Sequence, residues 1–399
     1  MLHESLLAEA RAIAGDIVSL RRAIHAEPEL GLDTPKTRDK VRAALANLPL
    51  EWREATTTSG LVASLKGGAG PGRPVLLRGD MDALPMAEET GLDFASTIPG
   101  TMHSCGHDTH TAMLVGAARL LCARADQLAG EVRFMFQPGE EGFHGARHML
   151  EEGLLNPLPE AAFALHIMPN AQHGLVAGRA GALMASADQF EIVIDGRGGH
   201  GAMPHDALDP VPIACEVVSA LQTYVARQFN TADPVIVSVT QINAGTAHNI
   251  IPDACTLSGT LRSLSPRHRA KLHEGLERLA KGIAAAHGAS ARVEITPGFP
   301  VTLCDARAVA LGEAVTTDLF GAPSWRTLDA PIMGAEDFSY VLEQIPGAMF
   351  FLGVAHEGVD HHKCPSIHSP RMMVDESALP RGAALLAGCA ERFLAQGWD

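Results

Sequence analysis

Aromatic side chains are scarce in this 399-residue chain, which has two tyrosines, three tryptophans and 5% aromatic residues in all. Nowhere does it contain an apolar run of about 18 residues, the length a helix needs to cross a bilayer, so no membrane span is expected. Met1 to Leu30 carries Glu4, Glu9, Arg11 and Asp16 among its apolar positions, which excludes the unbroken hydrophobic region of a signal peptide. No C-x-x-C pair is present. The seven cysteines, Cys105, Cys122, Cys215, Cys255, Cys304, Cys364 and Cys389, are odd in number and scattered, which argues against a disulfide framework, a zinc finger or a dithiol redox motif. These absences point to a reducing, cytoplasmic location. Fixed-period repeats and low-complexity tracts are also missing.

Positive charge is in short supply too. Thirty-one Lys and Arg against 46 Asp and Glu give a formal net charge of -15, which repels phosphate backbones and anionic membranes, so neither nucleic acid nor membrane is expected as a partner. What the chain has in excess is imidazole: nineteen histidines, the side chain most used as metal ligand and general base. Apolar residues at 46% and charged residues at 19% are ordinary globular usage, and the length suits two or three domains.

Helical spacing of apolar residues runs from Leu6 to Ile24 and again from Thr37 to Leu48, predicting two opening helices. Ser59 to Lys66, Arg73 to Asp80, Gly130 to Gln137, Ala162 to Ile167 and Ala348 to Val354 are short apolar runs bounded by Gly or Pro, as in buried strands. Helical stretches at Thr111 to Arg124 and His144 to Glu152 alternate with them, so the first fold class is α/β with a mostly parallel sheet. Near Ala185 the texture changes. Strands at Gln189 to Asp195, Val235 to Gln241, Thr256 to Arg262 and Ala291 to Ile295, with helices at Pro210 to Arg227 and Pro266 to His287, give the order β-α-β-β-α-β of a ferredoxin-like α+β domain. That unit, 185–297, reads as inserted into a discontinuous catalytic domain made of 1–184 and 298–399.

Met102-His-Ser-Cys-Gly-His-Asp-Thr-His110 packs His103, Cys105, His107, Asp108 and His110 between a loop and a helix start, supplying the ligand types preferred by zinc and related ions. At the end of the following strand stands Gln137-Pro-Gly-Glu-Glu-Gly142. Adjacent carboxylates can converge in a Gly-flanked turn, one gripping metal and the other handling protons. His166 ends a third strand. Arg78-Gly-Asp80-Met-Asp82 ends a fourth with two acids, of which one, taken as Asp80, can orient a ligating imidazole from behind. Strand carboxyl ends are where α/β sheets bind ligands.

These motifs resemble the aminoacylase and carboxypeptidase family of metallopeptidases (M20), in the amidohydrolase branch that holds hippurate hydrolase, N-acyl-amino-acid amidohydrolases and plant auxin-conjugate hydrolases. The resemblance continues through Gly199-His-Gly-Ala-Met-Pro-His205, His248-Asn-Ile-Ile-Pro252, Gly259-Thr-Leu-Arg262, Gly334-Ala-Glu-Asp-Phe338 and His368-Ser-Pro370, and so covers nearly the whole chain. It implies two divalent metals per subunit, zinc, manganese, cobalt or nickel, on Cys105, His107, Glu141, His166 and His368, with Cys105 bridging and Glu140 as general base. Other branches place an aspartate at the bridge, and their first ligand, a histidine two residues before an aspartate, is matched here by Arg78 before Asp80, so His107 is expected to supply the missing nitrogen. The usual aromatic residue after the last ligand motif is replaced by Arg371-Met-Met-Val-Asp375.

In the inserted domain the resemblance implies that His200 crosses a homodimer interface to stabilise an oxyanion, while Asn249 and Arg262 address the substrate's carbonyl and carboxylate. On an alternating strand, Arg262 fits a solvated face equally well. The expected activity is amide hydrolysis of a small N-acyl amino acid. Two rival readings are a cysteine hydrolase using Cys105 and His107, against which their spacing of two argues, and a non-catalytic binder, which would have no use for Glu140.

Overall fold

The structure, a computed structural model, describes residues 2–398, with side chains from Leu6 onward. The chain forms two compact units, one of 1–183, 303–330 and 337–399 and one of 184–302 and 331–336. Segment 331–336, which the sequence reading places in the first unit, clusters with the second because Ala185 donates its N–H to Ile332 O at 3.1 Å.

The first unit is built on an eight-stranded sheet in the order Leu50–Glu54, Leu61–Lys66, Glu131–Gln137, Pro74–Asp80, Ala161–Met168, Gly347–Gly353, Val176–Gly178 and Trp325–Thr327. Its middle four strands are parallel to one another, and antiparallel pairings begin on either side of them. Those central strands are buried along almost their whole length, which is why they read as unbroken apolar runs rather than alternating ones. Parallel pairing brings their carboxyl ends to one edge of the sheet: Asp80 stands opposite Gln137, and His166 opposite Phe351.

Helices His107–Cys122, Leu379–Gln396 and Ala14–His25 pack on one another over this sheet. They meet at Gly116, where a Cβ would lie 2.7 Å from Ile17 Cδ1 and 2.9 Å from Ala383 Cβ, so only glycine permits the approach. The opening periodic stretch is two helices, Leu2–Ala12 and Ala14–His25, not one. Ile13 leaves helical geometry at φ -101°, ψ 10° while the apolar pattern runs on across it, so periodicity alone does not register the break. All seven cysteines are free, and among the described residues no helix is long and apolar enough to cross a membrane.

The second unit is a four-stranded antiparallel sheet in the order Val235–Ala244, Ala254–Ser263, Ser186–Asp195 and Ser290–Thr296, the arrangement of a ferredoxin-like βαββαβ fold. Alternate residues of Ser186–Asp195 and Ala254–Ser263 are buried under helices Pro210–Gln228 and Pro266–Ala286. Both helices start with a capping side chain and a proline: Asp209 accepts from Val211 N–H and Ser265 from His268 N–H. Val235–Ala244 is an edge strand, with Ile236 and Ile242 exposed on it.

Asp188 ties this unit together. Its buried carboxylate accepts from Arg269 Nε at 2.9 Å and Nη2 at 2.6 Å, contacts His273 Nε2 at 2.7 Å and accepts from Gly298 N–H at 2.9 Å. Burial alone would raise its pKa, but His273 and Arg269 outweigh that and hold it at about 2. Because the folded value lies below the unfolded one, near 3.9, the stabilisation is present above about pH 4 and is lost as pH falls toward 2. Asp188→Asn is expected to destabilise this unit by about 2–3 kcal/mol at pH 7, with the difference from wild type shrinking below about pH 4. Hydrogen exchange of Ser186–Asp195 against pH measures this, and wild-type protection at pH 7 would contradict it.

Candidate metal centre

Three strands, near their carboxyl ends, and two loops supply the centre. After the strand Pro74–Asp80 comes Asp82, after Glu131–Gln137 the turn with Glu140 and Glu141, and inside Ala161–Met168 stands His166. Cys105 and His107 flank Gly106, which precedes helix His107–Cys122 with φ +86°. A Cβ at Gly106 would fall 2.5 Å from Ile167 Cγ1, so glycine is required twice over, for the left-handed backbone and for the space. His368 arrives from a distant loop in a left-handed conformation of its own, φ +63°, and its N–H donates to Ser104 O at 2.8 Å. The two loops that carry Cys105 and His368 are thereby joined through their backbones.

Potential ligand atoms converge within 4.8 Å of one another in overlapping sets: Cys105, His107 and His166; Cys105, Glu141 and His368; His107, Glu140 and Glu141; Asp80, His107 and His110. Cys105 Sγ lies 3.4 Å from His166 Nε2, and His368 Nε2 lies 3.2 Å from Glu141 Oε1. His107 Nε2 is buried without a hydrogen-bond partner, 3.9 Å from Glu141 Oε1 and 4.0 Å from Glu140 Oε2. A buried imidazole nitrogen with no partner, facing thiol and carboxylates, is the donor arrangement a divalent cation completes. All five residues the sequence assigns as ligands are therefore brought together, with Glu140 among them.

The imidazoles are oriented from behind. His166 Nδ1 donates to Ile167 O at 2.7 Å, which leaves Nε2 facing Cys105. His107 Nδ1 lies 3.3 Å from Asp82 Oδ1, and the same carboxylate accepts from the N–H groups of Glu140 at 2.9 Å and Glu141 at 3.0 Å. Asp80, given the orienting role from sequence, serves His110 instead: Oδ1 lies 2.7 Å from His110 Nδ1, whose Nε2 accepts from Ile167 N–H at 2.9 Å. With both nitrogens engaged, His110 acts as support. Arg78 turns to Asp80, Gln137 and Asp337.

Four acids at one buried place set the electrostatics. Burial disfavours a charged His107, yet Asp80, Asp82 and Glu141 overcome it and raise its pKa to about 10. Burial, then Glu141, Glu140 and Asp80, push the Cys105 thiol well up. His166 is driven well down, chiefly by burial and by His110. The same negative surroundings that favour protons on Cys105 and His107 favour a divalent cation in their place, since metal ligands bind as thiolate and neutral imidazole.

Sequence reasoning missed a second network behind the centre. Arg21 Nε donates to Asp108 Oδ2 at 2.7 Å, His25 Nδ1 lies 2.8 Å from the same oxygen, and His25 Nε2 lies 3.2 Å from Glu88 Oε1. It pins helix Ala14–His25 to the residue after His107, and no local spacing announces it. The roles of Asp82 and His110 had a signal: the one lies two residues past Asp80, the other one helical turn past His107.

The tight junction at Gly106 yields a test. Gly106→Ala is expected to destabilise the protein by about 2–4 kcal/mol and to lower metal occupancy, with Ile167→Ala restoring only part of the loss because the backbone strain remains. Thermal midpoints and metal content of both variants measure this, and a stable, fully loaded Gly106→Ala protein would contradict it.

The chain matches the model of peptidase family M20/M25/M40 over residues 76–392. It is 38% identical to thermostable carboxypeptidase 1 of Saccharolobus solfataricus over 98% of this chain and 99% of that protein. It is also 38% identical to N-acetylcysteine deacetylase of Bacillus subtilis, over 91% and 93% of the two chains. Its fold superposes with a TM-score of 0.84 and 35% identity on the Bacillus subtilis YXEP protein, described as a dinuclear metal binding peptidase from the M20 family, covering 96% of this chain and 99% of that one. With its buried cluster of cysteine, histidine and glutamate, the chain belongs to peptidase family M20/M25/M40 and to that family's metal-dependent hydrolases.

Proposed function

We propose that this protein hydrolyses the amide bond of small N-acyl amino acids, with Glu140 as general base beside two divalent ions held by Cys105, His107, Glu141, His166 and His368. The observation that carries the reading is the pairing of buried Glu140 with partly buried Glu141 against the histidine and cysteine cluster. Bound cations would polarise the scissile carbonyl and acidify water at the centre. Glu140 takes a proton from the attacking water on the oxygen that faces His107 as the water oxygen bonds to the acyl carbon, then returns it to the amine nitrogen as the C–N bond breaks. Asp82 holds the backbone of both glutamates and the ring of His107, so base and ligand keep a fixed spacing. A binder without chemistry would have no use for a carboxylate so placed, and the spacing of two between Cys105 and His107 argues against a nucleophile and its base.

A second reading, removal of a C-terminal residue from peptides, is favoured by the similarity to a carboxypeptidase. Both substrates are amides of an amino acid, so they share the chemistry and differ in what lies on the acyl side. A hydrolysis screen of benzoyl, acetyl, longer acyl and indole-acetyl amino acids, with dipeptides alongside, separates them.

In the second unit His200 is exposed on a two-residue pairing with Ile250–Ile251, and Asn249 beside it is exposed as well. Arg262 is half-buried, and burial lowers its pKa. We assign Asn249 and Arg262 to the substrate's carbonyl and carboxylate. His200 belongs to the oxyanion in the active site of a second copy, docked along the edge strand Val235–Ala244 with its exposed Ile236 and Ile242.

Glu140→Gln is expected to keep the metals and to lose about 10²–10⁴-fold in kcat, as removal of a general base does, while chelation should abolish turnover in the wild type. Near-normal kcat in the metal-loaded variant would sink the base assignment, and activity that survives demetallation would sink the mechanism. Mixing His200→Ala with Glu140→Gln chains under subunit exchange should recover about a quarter of wild-type activity, since about half of randomly formed dimers are mixed and each of those has one intact site. No recovery despite demonstrated exchange would mean that His200 acts in its own chain or not at all.

A further inference from the structure

The motif Gly334-Ala-Glu-Asp-Phe338 contains a buried charge to which the chemistry above gives no part. Asp337 is fully buried, and its carboxylate joins segments far apart in sequence. Oδ1 accepts from Arg78 Nη2 at 3.1 Å and from Gln137 Nε2 at 2.7 Å; Oδ2 lies 2.8 Å from Gln137 Nε2 and accepts from Ala146 N–H at 2.9 Å. Arg78 Nε also donates to Gln137 Oε1 at 2.8 Å, which fixes the orientation of the Gln137 amide. Gln137 is the last residue of its strand, and Ala146 lies in the first turn of the next helix. One carboxylate therefore fastens both ends of the segment 137–146, whose middle carries Glu140 and Glu141.

The same residue also touches the base. Asp337 N–H donates to Glu140 Oε1 at 3.3 Å, while Glu140 Oε2 is the oxygen that points toward His107 Nε2. A peptide donor on one oxygen makes the two oxygens of a carboxylate unequal, because it favours carbonyl character on the oxygen that accepts and leaves the proton to the other.

We propose that Asp337 is a positioning residue for Glu140: its carboxylate locks the segment 137–146 so that its own N–H engages Oε1 and Oε2 becomes the oxygen that takes up and returns the proton. This rests on the reading of Glu140 as general base. The proton balance is closed, since water loses one proton to Oε2, the leaving nitrogen receives it, and Glu140 ends as it began.

The test is a double-mutant cycle on the metal-loaded enzyme with the best substrate of the hydrolysis screen. Asp337→Asn keeps the shape but replaces one acceptor oxygen by a donor that faces other donors. It is expected to lower kcat about 10–100-fold, with KM and the affinity for manganese, measured by calorimetry, within about twofold of wild type. In the Glu140→Gln background the same substitution should cost nothing further, because residues that act through one another are not additive. Gln137→Met, which removes one tie while leaving Arg78 and Asp337 paired, should lower kcat several-fold and serves equally well if Asp337→Asn fails to fold. Full additivity with Glu140→Gln, a parallel fall of manganese affinity and kcat, or an unchanged kcat in a folded variant would each overturn the proposal. Failure of the base reading shows separately, as high kcat in Glu140→Gln alone.

Discussion

An excess of buried negative charge at one edge of a parallel sheet is the constraint around which this protein is organised. Asp80, Asp82, Glu140 and Glu141 crowd together with Arg78 as the nearby guanidinium, and in a medium of low polarisability such a group repels itself strongly. Three devices relieve it. Arg78 pairs with Asp80, backbone N–H groups of the glutamates point at Asp82, and His107 holds a proton near the centre. Each leaves negative potential over, and the thiol and imidazole groups that face it complete a cage suited to divalent cations.

Much of this was legible in the sequence because parallel strands buried on both faces leave continuous apolar runs, and polar residues stand out where the runs stop. Asp80, Gln137 and His166 announce their places in that way, and the βαββαβ order of the second unit shows through alternation and capping prolines. What stayed hidden is contact between residues far apart in sequence: Gln137 and Asp337 are separated by 200 positions, Arg78 and Asp337 by 259, Arg21 and Asp108 by 87. No periodicity encodes such pairs, which arise only once the fold has closed. Asp80 shows the limit at short range, since a choice between two acids two residues apart depends on which imidazole each one meets.

The two buried ionic networks have different addresses. Arg21, His25 and Asp108 fasten the opening helices to the start of helix His107–Cys122, on the ligand side of the centre. Arg78, Gln137 and Asp337 fasten the turn that bears Glu140. Asp82 stands between the two networks, holding the ring of His107 with one oxygen and the backbone of both glutamates with its pair of oxygens.

His368 differs from its companions in one respect. Cys105, His107 and His166 are almost wholly enclosed, whereas the His368 side chain is about half exposed, on a residue held in left-handed backbone geometry by its bond to Ser104. Of the five side chains His368 is therefore the one whose imidazole is hydrated before it meets an ion, while the enclosed groups form the part of the cluster that has already given up its water.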